Sequence, residues 1–291
     1  MHATRSAAPA DRLVERIEAA AALDPAGKAI AKRARAALSP TALKEALSGT
    51  RLGHALHPLL TDVVIGTFVS ATLLDVLGGD ADGRARTRLV GVGLAAAAPT
   101  ALSGVNDWAD TEPGNDPVRR AGMVHAAANT AALSLYAGSL AAGRGPAAPI
   151  LRAAGATLLM AGGFLGGHLT FRRGVGSDQT VFDPGPDDWT TVQGAAELPE
   201  GRPTRAVVAE TPVMLLRREG ALHALHDRCS HRGCSLSELG EVDGDGIVCG
   251  CHGSAFNLRD GSVLRGPATA PQPAFEAREH DGRVELRRLG A

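Results

Sequence analysis

Two short stretches hold the residues best suited to chemistry: Cys229-Ser230-His231 and Cys249-Gly250-Cys251-His252. Seventeen residues separate them, in a chain of 291 that has only 4 cysteines. Two Cys-plus-His half-sites at this spacing can put two thiolates on one iron and two imidazoles on another, or bind zinc with four donors in a tetrahedron. In the iron case, exchanging two thiolates for neutral imidazoles removes two negative charges from one metal and raises the reduction potential, to about −150 to +300 mV. A ligating imidazole with its outer nitrogen toward solvent also couples electron gain to proton gain. The alternatives are a zinc ribbon and a disulfide-only domain. Gly233 and Gly253, which follow the two half-sites and allow close backbone approach, favour the cluster.

The surroundings read Cys-Ser-His-Arg-Gly-Cys over 229–234 and Cys-Gly-Cys-His-Gly-Ser-Ala-Phe over 249–256. These runs resemble the two cluster-binding loops of the Rieske 2Fe-2S family, and the resemblance extends from about residue 189 to the end. It implies that Cys229 and Cys249 bind one iron and His231 and His252 the other, and that Gly233 and Gly253 let the backbone approach the sulfides. It further implies a disulfide between Cys234 and Cys251, as in the quinol-oxidising members. Ser254 would donate to a bridging sulfide and raise the potential. Phe256 stands where those members commonly have tyrosine, and Gly250 where they have proline, so a potential below theirs is expected. His223 and His226 fall in an alternating run, Ala221 to His226, and read as strand residues rather than ligands.

Elements of two kinds must position these groups. Length suits two domains, and a formal charge of -1 gives no hint of nucleic acid as a partner. After residue 188, short strand-forming runs alternate with Gly-rich turns, an all-β pattern. Before 172, Ala, Gly and Leu dominate in four apolar stretches, near 58–77, 89–105, 121–142 and 147–171. A membrane crossing needs about 20 residues, so an all-α, four-helix transmembrane bundle is expected over 53–173, inserted in a lipid bilayer. A soluble Ala-rich bundle is the alternative. Residues 1–52 read as an amphipathic helical arm without a signal peptide, lying on the membrane or packed on the bundle. Residues 174–187 read as a linker, extended by up to some 50 Å at about 3.3 Å per residue, ahead of a Rieske domain over 188–291.

The stretch from Gly53 through His54, His57, Pro58 and Asp62, followed by the apolar segments, resembles a bacterial membrane-domain family of unknown function that is sometimes fused to a Rieske module. The topology puts His54, His57, His125 and His168 toward one membrane face, with Asp107, Trp108 and Asp110. These histidines are a candidate second site for haem b or another metal; ordinary interfacial histidines are the alternative. Basic residues at the span ends (Lys44, Arg51, Arg119, Arg120, Arg172, Arg173 against Arg84, Arg86, Arg88, Arg144, Arg152) favour a cytoplasmic Rieske domain, whereas a persistent disulfide fits a reducing cytosol poorly. The expected function is a membrane-anchored carrier of single electrons between donor and acceptor proteins. A quinone-linked oxidoreductase with a haem in the bundle and a redox sensor are the competing readings. A two-His-one-carboxylate iron site, as an oxygenase would need, is not evident.

Overall fold

The computed structural model describes residues 9–39, 41–79, 82–192 and 198–290. In chain order the helices are α1 (Pro9–Glu18), α2 (Asp24–Ala37), α3 (Thr41–Ser48), α4 (Leu56–Leu77), α5 (Gly83–Thr111), α6 (Asp116–Ala141), α7 (Ala147–Gly167) and the one-turn α8 (Leu236–Leu239). The strands are β1 (Thr190–Thr191), β2 (Thr204–Val208), β3 (Thr211–Arg218), β4 (Ala221–His226), β5 (Gly240–Asp243), β6 (Gly246–Cys249), β7 (Ala255–Asn257), β8 (Val263–Arg265), β9 (Ala274–His280) and β10 (Arg283–Arg288). The chain divides into two compact units, Met1–Ser39 with Leu56–Val175, and Pro40–Ala55 with Gly176–Ala291.

The helical unit is built around α4 to α7. Small residues let large ones seat between helices: a Cβ on Gly93 would lie 2.6 Å from the Phe68 ring, and one on Gly155 would lie 2.9 Å from Tyr136. Phe68 and Tyr136 are fully buried and stack with ring centroids 4.0 Å apart. Three helices among the described residues are long and apolar enough to cross a membrane: α4, α5, and α7 with its continuation to Arg172. The fourth expected span, α6, does not reach that hydropathy, because Arg119, Arg120, His125, Asn129, Thr130, Ser134 and Ser139 interrupt it. Large apolar side chains such as Val76, Leu77, Ile150 and Met160 point outward, away from the protein interior. That placement suits hydrocarbon better than water.

The arm is split between the units. Val14 of α1 and Ala31 of α2 are buried in the helical unit, fastened by ion pairs from Glu18 to Arg173, from Asp24 to Arg120 (2.7 Å) and from Arg35 to Glu112 (2.7 Å). Residues 40–55 join the β unit instead, so a single arm ending at residue 52 does not describe the chain. The expected free linker is also largely occupied. Gln179 donates its amide to Ser230 O at 3.0 Å, Pro186 O accepts from the Arg288 amide at 2.7 Å, and Gly185 sits against Phe275. Turn-rich composition marked an irregular segment here, but not its attachment to the β unit.

That unit contains a six-stranded antiparallel sheet, ordered β1-β10-β9-β4-β3-β2, and a four-stranded sheet, ordered β5-β6-β7-β8. Alternation along β3 sends Val213 and Leu215 into one core, and Met214 and Leu216 into another that also holds Leu225, Leu236, Ile247, Phe256, Cys229 and Cys249. The second core underlies both half-sites.

Candidate metal centre

The two half-sites adopt the same turn. In residues 229–234 the Cys229 amide donates to Cys234 O at 2.8 Å, and the Gly233 amide to Cys229 O at 2.7 Å. In residues 249–254 the Cys249 amide donates to Ser254 O at 2.8 Å, and the Gly253 amide to Cys249 O at 2.9 Å. Each turn closes on a glycine with positive φ, +76° at Gly233 and +80° at Gly253, where a side chain would be strained. The first turn follows β4, and the second joins β6 to β7. At Gly250 a Cβ would stand 2.1 Å from Leu239 O, so the residue that replaces the expected proline is the one that fits.

This pairing brings the four expected ligands together by type. Cys229 and Cys249 are each 2% exposed and hydrogen-bond to one another through their thiols. Backbone amides of His231 and Arg232 point at the Cys229 sulfur, and those of Cys251 and His252 at the Cys249 sulfur. The mutual hydrogen bond pulls the Cys249 thiol down to about 6, while the same bond and burial push Cys229 up. The two sulfurs thus face one another in a buried place that a cation would fill. Outside them the His231 and His252 rings lie edge to face, with centroids 5.1 Å apart. Burial, and then the positive charge of Arg232, hold His231 well below the ordinary imidazole range. It is therefore neutral, as a metal ligand must be. Two converging thiols, two neighbouring imidazoles and amides aimed at the sulfurs fit a mixed-ligand iron-sulfur cluster.

Cys234 and Cys251 are joined by a disulfide that ties the end of the first turn to the middle of the second. The sulfurs of Cys234, Cys249 and Cys251 lie within 4.8 Å of one another. The disulfide occupies two of those three, so they are not a three-thiolate zinc site. Ser254 is fully buried, and its Oγ accepts from the Ala268 amide at 3.0 Å, leaving its own proton to donate elsewhere. Phe256 is fully buried beneath the sulfurs.

Comparison with known proteins decides the family. A model described as "Rieske [2Fe-2S] domain" matches residues 188–276, and one described as "Predicted membrane protein (DUF2231)" matches residues 53–179. Ferredoxin CarAc of Metapseudomonas resinovorans is 36% identical over 97 residues, covering 33% of this chain and 90% of that protein. The chain belongs to the Rieske family. The ferredoxin subunit of anthranilate 1,2-dioxygenase from Burkholderia cepacia is 31% identical over 99 residues, covering 34% of this chain and 91% of that protein. The iron-sulfur subunit of the cytochrome b6-f complex of Chlorobaculum thiosulfatiphilum is 34% identical over 92 residues, covering 31% and 49%.

Two residues that the sequence did not single out hold the Rieske turns in place. Gln272, 1% exposed, donates to His226 O (2.6 Å) and Arg228 O (2.7 Å) and accepts from the Ser230 amide (2.9 Å). Asp227 accepts from the Ser237 amide (2.7 Å) and the Ser235 hydroxyl (2.8 Å), fixing α8 beside the first turn. Only the prolines flanking Gln272 marked that stretch as conformationally special. His223 and His226 are strand residues, as expected. His226 is fully buried, with Nε2 3.2 Å from Asp183 and Nδ1 accepting from the Arg228 amide at 3.0 Å.

The four histidines of the expected haem or metal site are divided between the two units, His54 in the β unit and the other three in the helical unit. His54 is exposed and belongs to the β unit. His168 Nε2 is engaged with Glu18 at 2.8 Å. His57 donates from Nδ1 to Thr100 O at 3.0 Å, and His125 from Nδ1 to Gly162 O at 2.8 Å. Of the nearby residues, Trp108 donates to Val118 O at 3.2 Å and Asp110 is buried.

Proposed function

We propose that this protein is a membrane-anchored one-electron carrier with a Rieske cluster on Cys229, Cys249, His231 and His252. The observation that carries the reading is the repeated turn, which sets two buried thiols behind two half-buried imidazoles. A bound cluster supplies one reversible electron at the elevated potential of mixed His and Cys ligation. The chain's own residues do the rest. The amides at each sulfur and the Ser254 hydroxyl stabilise the more negative reduced state, and the core holding Phe256 keeps water from the sulfurs. The disulfide fixes the distance between the turns. Apolar α4, α5 and α7 would confine the carrier to the bilayer. By analogy with the dioxygenase ferredoxins, donor and acceptor are redox proteins.

A second reading, quinone oxidation through a metal or haem in the bundle, draws on His57, whose Nδ1 bond to Thr100 O leaves Nε2 as an acceptor, and on His125, whose Nε2 would first have to release Asn129 Nδ2 at 3.3 Å. Spectroscopy of the full chain in detergent separates the two. The carrier reading expects a cluster signal that takes up one electron per chain and passes it to a protein acceptor. A Soret band reduced by quinol in the purified protein would replace that reading with the second.

A further inference from the structure

Residues 40–55 stand ahead of the apolar helices in the chain, yet they fold into the β unit. Their contact is specific. The Gly266 amide donates to Glu45 Oε1 at 3.1 Å. A Cβ on Gly266 would lie 2.1 Å from Thr50 Oγ1 and 3.1 Å from Glu45 Cγ, so the segment occupies the space a side chain would take. Leu47 and Ser48 of α3 are buried, at 8% and 4% exposure. Arg265, next to Gly266, donates from Nε to Gly253 O at 3.1 Å, one residue past His252. The segment therefore lies beside the second turn, close to His252.

That side matters for function. Electron transfer slows steeply with distance, and the two cysteine ligands are buried, so a partner reaches the cluster most directly through His231 and His252. Resting on the cluster assignment above, we infer that residues 41–52 are a resident cover on the histidine side. They occupy part of the surface that a redox partner protein would use, and thereby limit electron exchange to partners that displace or accommodate them. Glu45 and Gly266 are the latch.

The test uses the full chain in detergent, with Glu45→Ala and, independently, Gly266→Ser. Amide hydrogen exchange reads the latch directly. Loss of the charge-assisted hydrogen bond in the Glu45 variant should speed exchange across residues 41–52 by about tenfold while β3 stays protected. The functional readout is oxidation of the dithionite-reduced cluster, in which one electron passes to the ferric haem of cytochrome c and none of the chain's bonds change. Both released variants should react with cytochrome c several-fold faster than the parent, and with small ferricyanide nearly as the parent does. Fast exchange across 41–52 in the parent would overturn the inference. So would a released variant that reacts with cytochrome c at the parent rate. If Gly266→Ser loses the cluster, the Glu45 variant carries the test. A parent protein without any cluster signal would refute the cluster assignment, whereas the exchange data would still judge the latch.

Discussion

Gln272→Leu removes all three hydrogen bonds of a buried amide while keeping its volume. Its loss strands two carbonyls, of His226 and Arg228, and the Ser230 amide, in a place that is 1% exposed. A buried backbone group left unsatisfied costs about 1–3 kcal/mol, so the three together cost roughly 3–9 kcal/mol before relaxation. That is a large part of the ~5–15 kcal/mol that holds a domain folded. Even the low end, about 3 kcal/mol, should lower the melting temperature of the β unit by roughly 10 °C, at about 3–4 °C per kcal/mol for a unit between the small and large domain classes. All three stranded groups lie at the entrance to the first turn, so the cluster should be lost before the sheets melt. Visible absorbance on heating follows the cluster, and far-ultraviolet circular dichroism follows the sheets. A variant that keeps its cluster and melts within about 2 °C of the parent would refute the claim that Gln272 sets the turn.

Other consequences can be read from single positions. Gly250→Ala places a methyl group 2.1 Å from Leu239 O and should lower cluster occupancy, measured as iron per chain, with a cost of about 1–3 kcal/mol. Ser254→Ala removes a buried hydroxyl beside the sulfurs and should lower the reduction potential in protein-film voltammetry; an unchanged potential would dissociate Ser254 from the cluster. Burial, opposed by Asp183, holds His226 below the ordinary imidazole value near 6.5, so its contribution is complete above about pH 6.5 and is lost as pH falls toward the folded value. Melting temperatures between pH 7 and pH 5 should therefore decline less in His226→Gln. In the helical unit Asp75 is held by Arg152 through two contacts of 2.6 Å and by Arg86 at 3.4 Å, so Arg152→Met leaves the carboxylate with one looser partner and should lower thermal stability in detergent by less than the roughly 3–5 kcal/mol of a fully stranded charge.

The proposed ligand set could be drawn from the sequence because coordination chemistry restricts both residue type and local spacing. Cys229 and Cys249 open the same turn, His231 follows two residues after the first and His252 three residues after the second, and each turn closes on a glycine with the positive φ it needs. What supports the turns was not legible. Gln272 and Asp227 act through contacts with backbone groups, which leave no spacing pattern behind. The seating of α3 beside Gly266 joins residues more than 200 positions apart, and nothing local in either stretch announces it. In the helical half, apolar periodicity located the long helices, but hydropathy separated α6 from the other three only once its polar residues were placed on one continuous helix.

Pulsed EPR of the dithionite-reduced full chain, grown with 15N-histidine, tests the central claim most directly. The account predicts a reduced cluster with strong couplings to two histidine nitrogens, a composition near two iron and two sulfide per chain, and the loss of one coupling in each of His231→Cys and His252→Cys. A cluster with no histidine coupling, or zinc in place of iron, would contradict it.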